Sequence, residues 1–497
     1  MLRHELWRDE AQAWCIALQS RSIPELFYNM RYEMHPALWH LILFSITRVT
    51  HNPLFMQLVH VGIISGAVFL FTRYAPFTRI QKILFTVGYF PLYEYGVISR
   101  SYSIVMLLLF SMCTLWPTRS KRYLPMFVLL ALLANTNAYG FLLSAPVAAT
   151  LVLELLLRQT PLLKDCRKVL ASGIAVYVIA CGVALMQLLP PPDGCSGEWN
   201  NKPVTVEESR LTKTLGTVWA SYVPIPDLTT FHTWNTNVLA PSGLGPAATV
   251  PLSLALVFFS AAMFFRKRMV LFLYTAGTGI LLSFAYLKLL GGVRQQGHLF
   301  ELLLIGFWLA AYYPDASIAK VLDKFAVPRK WAGIFCTCLL FLQALAGIYS
   351  YAADLARPFS ASALVANYLK KNHLTDKLII GTNDHEIIPI SALIDKKIYY
   401  PESETFGSFV RNDRHRHTLS FDETFTRIKS LMVQQKANEA ILITNYQLGG
   451  FPKDIKMDVL KIFDKAIQPD EIFYIYSMSI PEHAHPSEPA YLPGPAK

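Results

Sequence analysis

Residues 54–72 read LFMQLVHVGIISGAVFLFT, nineteen positions without Asp, Glu, Lys or Arg. A bilayer core about 30 Å thick takes about 20 residues at a rise of 1.5 Å each, and a helix satisfies its own backbone there. The stretch therefore predicts a spanning helix. Working outward, apolar runs at 83–98, 103–117, 123–138, 140–157, 169–189, 248–265, 269–288, 298–313 and 331–350 predict nine more. Of the 497 residues 53% are hydrophobic and 16% charged, with mean hydropathy +0.34, whereas an ordinary soluble domain carries about 25% charged residues. A water-soluble globule is excluded, and a membrane all-α bundle of about ten spans is expected.

The formal charge of +11 would suit nucleic acid, but its distribution points to a membrane. If the spans alternate, the clusters at 73–82, 119–122, 158–168, 266–268 and 320–330 share one side and hold seventeen Lys and Arg. The opposite set, 1–52 and 190–246, holds eight over about twice the length. Basic residues in short loops mark the cytoplasmic side. The first 52 residues, the long loop 190–246 and everything after about 353 are thus expected on the outer, periplasmic or lumenal, face of a multi-pass protein, with the bacterial inner membrane as its location. Membrane lipids are expected partners; nucleic acid is not.

The apolar stretch at 36–49 opens with Pro36, carries His40 and Arg48 and runs only about 14 residues, so it predicts an interfacial helix rather than a span. About 50 residues thus precede the first span without a cleavable signal peptide, and a further helix upstream of this chain is expected. Seven cysteines show no metal-ligand spacing; Cys15 and Cys195, away from the apolar runs, allow one disulfide in an oxidising compartment.

From about residue 354 the composition becomes that of a soluble α/β domain extending to 480. Helical patterns at 360–373 and 421–437 alternate with short apolar strands at 378–382, 397–400, 440–444 and 471–476. Gly381-Thr382-Asn383-Asp384 reads as a structural turn in preference to a ligand loop, and the run from Arg411 to His417 as a solvated loop. Five prolines in 481–497 mark a disordered end.

Three outer-boundary clusters carry ionisable groups where charge is expensive. Asp9 and Glu10 open a short amphipathic helix between Trp7 and Trp14; acids in a first turn also simply stabilise a helix N-terminus. Glu94 ends an apolar run in PLYEYGVISRSYSI and is followed by Arg100 and Tyr102. Gly291-Gly292-Val293-Arg294-Gln295-Gln296-Gly297-His298 places an arginine and a histidine among glycines that let a headgroup approach. His35-Pro36 adds a polar group, with a cap or turn role equally open. A carboxylate can take a proton from an acceptor hydroxyl while arginines hold a phosphate leaving group. That chemistry is glycosyl transfer from a lipid-linked phosphosugar.

At these residues the chain resembles the GT-C superfamily of membrane glycosyltransferases, in particular the family 39-like branch of protein O-mannosyltransferases and the aminoarabinose transferase of lipid A. The family's outer-loop Asp-Glu pair resembles Asp9-Glu10, its "HPPL"-like segment His35-Pro36-Ala37-Leu38, and its Arg-x-Tyr motif Arg100-Ser101-Tyr102. Its bacterial "RHxG" type is similar to Arg294 through His298, with Gln295 in place of the usual His. The resemblance implies an inverting transfer on the outer face from a polyprenyl-phosphate-linked sugar to a lipid, glycan or protein acceptor, by a catalytic transmembrane domain over 1–353. It implies Asp9 as general base, Glu10 supporting it, Glu94 positioning the acceptor or a metal, and Arg100, Tyr102, Arg294 and His298 at the donor phosphate. Relatives differ in whether they need a divalent ion; Asp9 and Glu94 are the candidate ligands.

Two other functions fit a multi-span chain. A transporter or flippase of lipid-linked glycans would need polar groups midway through its spans, where only scattered candidates such as Asn135, Asn137 and Gln187 occur. A non-catalytic assembly protein would use its tail to bind partners.

Overall fold

The computed structural model describes residues 4–157, 164–194, 208–239, 245–316, 326–452 and 454–480. Cys195, and with it the disulfide to Cys15 that the sequence allows, and the expected disordered end at 481–497 fall outside these residues. The chain divides into two compact units, one of Met1–His4, Ala13–Phe359 and Arg411–Arg414, the other of Glu5–Gln12, Ser360–Val410 and His415–Lys497. Glu5–Gln12 thus groups with the α/β unit and not with the helices that follow it. The reason is hydrogen bonding: Ser362 Oγ donates to Leu6 O (2.8 Å), the Arg8 N–H to Glu471 Oε1 (2.8 Å), and Gln12 exchanges two bonds with the Val410 backbone.

The first unit is helical. Helix α1 (Arg8–Gln19) begins in the other unit's segment; then come α2 (Ile23–Met30), α3 (Leu38–Thr47) and α4 (Leu54–Tyr74). The chain continues through α5 (Arg79–Thr86), α6 (Tyr102–Leu115), α7 (Tyr123–Ala134), α8 (Ala138–Leu156) and α9 (Lys164–Leu188). It closes with α10 (Glu208–Tyr222), α11 (Gly245–Met263), α12 (Arg268–Leu287), α13 (Val293–Ala310) and α14 (Arg329–Ala356). Among the described residues six helices are long and apolar enough to cross a membrane: α4, α6 with its 3-10 extension to Lys121, α8, α9 from Arg167, α12 and α14. Helix α3, at ten residues, is too short to span, as its sequence predicts.

The run at 83–98 is not one helix. It breaks after α5 at Gly88, whose backbone is extended, and resumes as a π-turn over Tyr89–Glu94. Pro91 enforces the break, since its ring clashes with the carbonyl four residues back and it has no N–H to donate. The wide turn closes through Tyr95 N–H to Phe90 O at 2.7 Å. Helix α14 packs directly on this irregular backbone: a Cβ on Gly347 would sit 2.5 Å from Val87 O, so only glycine permits the approach. Helix α10, inside what reads as a plain outer loop, packs on α11 and α13.

The second unit is a six-stranded mixed sheet with helices on both faces. Its strands are β1 (Leu378–Gly381), β2 (Ile398–Tyr400), β3 (Thr405–Gly407), β4 (Glu439–Thr444), β5 (Lys456–Phe463) and β6 (Phe473–Ser479), in the order β3-β2-β1-β4-β6-β5. β1 runs parallel to β2 and β4, and the other pairs are antiparallel. Side chains alternate across the sheet with period two. Ile380, Leu442 and Tyr476 pack under α17 (Phe421–Gln434) through Ile428 and Met432. Ile379, Ile441, Ile443 and Ile475 pack on the other face with Val365 of α15 (Ser362–Lys371) and Ile387 of α16 (Asp384–Ile394). Each buried side chain of this kind contributes about 1.5–3 kcal/mol.

Candidate functional site

In the helical unit the π-turn delivers Glu94 into the interior, 2% exposed. Its Oε2 accepts from Tyr89 Oη at 2.8 Å and from Trp234 Nε1 at 3.1 Å, while the buried Oε1 has no partner among the described residues. Burying a carboxylate costs several kcal/mol unless donors or a cation compensate. The compensation converges on the same indole: the Arg294 guanidinium lies over the Trp234 ring at 5.4 Å.

Arg294 is placed by the entry of α13. Asn235, held at φ 59°, accepts from the Val293 N–H at 2.8 Å, and Gln295 Oε1 accepts from the Gly292 N–H at 2.9 Å. Gln295, standing where the resemblance expects a histidine, is thus a helix cap. One turn further, a Cβ on Gly297 would lie 2.2 Å from Phe90 Cε1 and 2.5 Å from Tyr95 Oη, so glycine lets α13 lie against the π-turn. Tyr95 Oη donates to the Arg294 carbonyl at 2.6 Å.

His298 follows, wholly buried, with its Nδ1 2.5 Å from Glu301 Oε2. Its ring stacks among Tyr139, Tyr102 and Tyr95 at 5.4, 5.7 and 5.8 Å. The unit therefore joins Glu94, Trp234, Arg294, His298 and Tyr102 into one polar and aromatic cluster. Arg100 and His35 lie within electrostatic reach of His40, which is buried in α3. Arg100 itself starts the turn into α6, its N–H donating to Ile98 O at 3.0 Å.

Asp9 and Glu10 lie in the α/β unit. Glu10 is fully buried and its Oε2 accepts from the Trp7 N–H at 3.3 Å, the reciprocal half of a capping box. Asp9 keeps 27% of its side chain exposed, 4.0 Å from Arg8 Nε. Arg8 reaches further, donating to Glu386 and, at 2.6 Å, to Asp470. Burial works against the Arg8 charge, but Asp470, Glu386 and Asp9 outweigh it and raise its pKa above the usual range.

In the same unit Asn383, at φ 57°, turns the chain after β1, and Asp384 opens α16 fully buried. Asp384 takes a two-pronged bond from Arg416 at 2.9 and 2.8 Å. Arg416 belongs to the Arg411–His417 run, which is therefore not simply solvated. A buried carboxylate needs a countercharge, and Arg416 supplies it. In the helical unit, Arg411 donates to Asn29 Oδ1 at 2.7 Å.

Trp234, Tyr89, Tyr95 and Tyr139 were not singled out in the sequence, because they join the site through contacts made by distant segments. Glu301 had a signal: an acid at the fourth position of the apolar run 298–313 is costly unless partnered. Among the described residues no group of three or more His, Cys, Asp or Glu gathers to hold a metal ion. No family model matches the chain, and no curated protein or solved structure matches it either.

Proposed function

We propose that the protein is an integral membrane glycosyltransferase that moves a sugar from a polyprenyl-phosphate donor to a hydroxyl-bearing acceptor at the outer membrane surface, with inversion. The reading is supported by one observation above the others: a buried carboxylate with one open oxygen, Glu94, and a guanidinium, Arg294, share the Trp234 indole inside an apolar helical unit.

Transfer requires the acceptor oxygen to bond to the anomeric carbon as the bond from that carbon to the phosphate oxygen breaks. The bonding electrons leave with the polyprenyl phosphate, where Arg294 and Arg100 offset the added charge. The acceptor proton passes to a carboxylate, for which the resemblance gives Asp9, with Glu10 supporting it. Glu94 orients the acceptor through its open oxygen. Tyr102 and His298 wall the donor side, and His35 shapes the acceptor approach.

The test is transfer in reconstituted vesicles supplied with polyprenyl-phosphate sugars. Asp9→Asn is expected to abolish formation of the new glycosidic bond while leaving expression and melting temperature intact. Full activity in Asp9→Asn would overturn the base, and donor-dependent movement of substrate across the vesicle without a new bond would point to a flippase.

A further inference from the structure

In a sheet whose strand order reverses beside one strand, the crevice at the carboxyl ends of the parallel strands is where ligands bind. Here the reversal falls between β1 and β4, because the chain leaves β1 for β2 on one side and returns to β4 on the other. The residues just past those strand ends are polar. Asn383 Nδ2 donates to Asn445 Oδ1 at 2.6 Å, Asn445 Nδ2 donates to the Asp470 carbonyl at 3.1 Å, and Glu386 stands in the first turn of α16.

What fills this crevice is the chain's own Arg8, bonded through Nη1 to Glu386 and Asp470 and through its backbone N–H to Glu471. Flanking bonds fix the segment at both ends: Ser362 Oγ to Leu6 O at 2.8 Å before it, and Gln12 Nε2 to Val410 O at 2.7 Å, with the Val410 N–H returning to Gln12 Oε1 at 3.0 Å, after it. Glu471 is itself braced, its carbonyl accepting from the Ala361 N–H at 3.0 Å. Loose charged pairs at a surface hold nothing in place; a guanidinium nitrogen, Arg8 Nη1, bridging two carboxylates from different elements, on a side chain 26% exposed and with hydrogen bonds to the segment before and after it, does.

We infer that Arg8 is a positioning residue: the α/β unit uses its switch-point crevice to grip the segment Glu5–Gln12 and so sets the direction of the Asp9 carboxylate beside it. The inference rests on Asp9 being the general base, and it assigns the α/β unit a role in the chemical step in addition to any part in acceptor choice. Misplacing a reacting group by about 1 Å can cost a hundredfold in rate, so a grip of this kind acts on turnover and not on donor affinity.

The experiment uses the full chain in lipid nanodiscs with two readouts, amide hydrogen exchange and steady-state transfer from a polyprenyl-phosphate sugar. In Glu386→Gln with Asp470→Asn, exchange over Asp9–Gln12 is expected to quicken at least tenfold while β1 and β4 stay protected. kcat is expected to fall at least tenfold, with the donor KM changed less than twofold. Arg8→Lys, which keeps the charge but loses the rigid planar guanidinium that holds Nη1 between Glu386 and Asp470, is expected to move both readouts the same way and serves if the double variant does not fold. Unchanged exchange over Asp9–Gln12, or faster exchange with kcat intact, would overturn the inference. Asp9→Asn separates it from the reading beneath it: lost transfer with unchanged exchange upholds the base, whereas retained transfer removes the base and leaves exchange alone to decide whether Arg8 holds the segment.

Discussion

Glu94 shows how a single residue is kept where solvent would not allow it. Two donors meet one of its oxygens and leave the other open. Glu94→Gln preserves an acceptor for Tyr89 and Trp234 but removes the charge. It is expected to lower transfer about a hundredfold, the scale of losing one preorganised electrostatic group, with the melting temperature nearly unchanged; a variant as active as the parent would remove Glu94 from the reaction. Burial pushes the Glu471 carboxyl up to about 8, and burial together with the charge of Asp384 pushes Glu402 up to about 7. Both groups therefore hold more protons folded than unfolded once the pH passes the ordinary carboxylate range. Their contribution to stability is complete below about pH 4.5 and is lost as the pH rises to 8. Melting of the α/β unit followed from pH 4.5 to 9 should fall across this window, and Glu471→Gln should flatten the fall.

The elements that build the site are the irregular ones. Regular helices such as α4 were legible because hydrophobicity and length suffice to specify them. The break at Pro91 was legible in principle and was overridden by the apolar character of 83–98, because hydropathy counts side chains and ignores the missing N–H. Helix α10 does not stand out in the sequence because the face it buries mixes Thr214, Thr217 and Ser221 with Val218 and Tyr222. The contact of α13 with the π-turn depends on Gly297, where a methyl group would collide with Phe90 and Tyr95. Gly297→Ala should cost about 1–3 kcal/mol, read as a lowered melting temperature, and should reduce transfer more than a comparable loss elsewhere because Arg294 moves with the helix entry. Unaltered melting would mean that the two elements can part freely.

For the molecule as a whole, the charge distribution makes a prediction about sidedness that is independent of the chemistry. A cysteine introduced at Thr229, in the long loop, should react with a membrane-impermeant probe added outside intact cells, and one at Thr118, beside Arg119 and Lys121, should not. The reverse pattern would invert the topology and put the Glu94 cluster on the cytoplasmic side. Among the described residues, six helices are long and apolar enough to span, with short and broken helices between them.

The sequence by itself marked helices long and apolar enough to span a membrane, most of the other helical segments and the α/β tail, because these follow from run length, period and local charge, all properties of neighbours in the chain. It also marked Asp9, Glu94, Arg100 and Arg294 as costly charges. Only the tertiary structure decided their company: Trp234 between Glu94 and Arg294, Glu301 on His298, and Arg8 in the crevice past β1 and β4. The physical reason is that a buried charge persists only when distant segments bring donors and countercharges to it, and no local pattern records which segments those are.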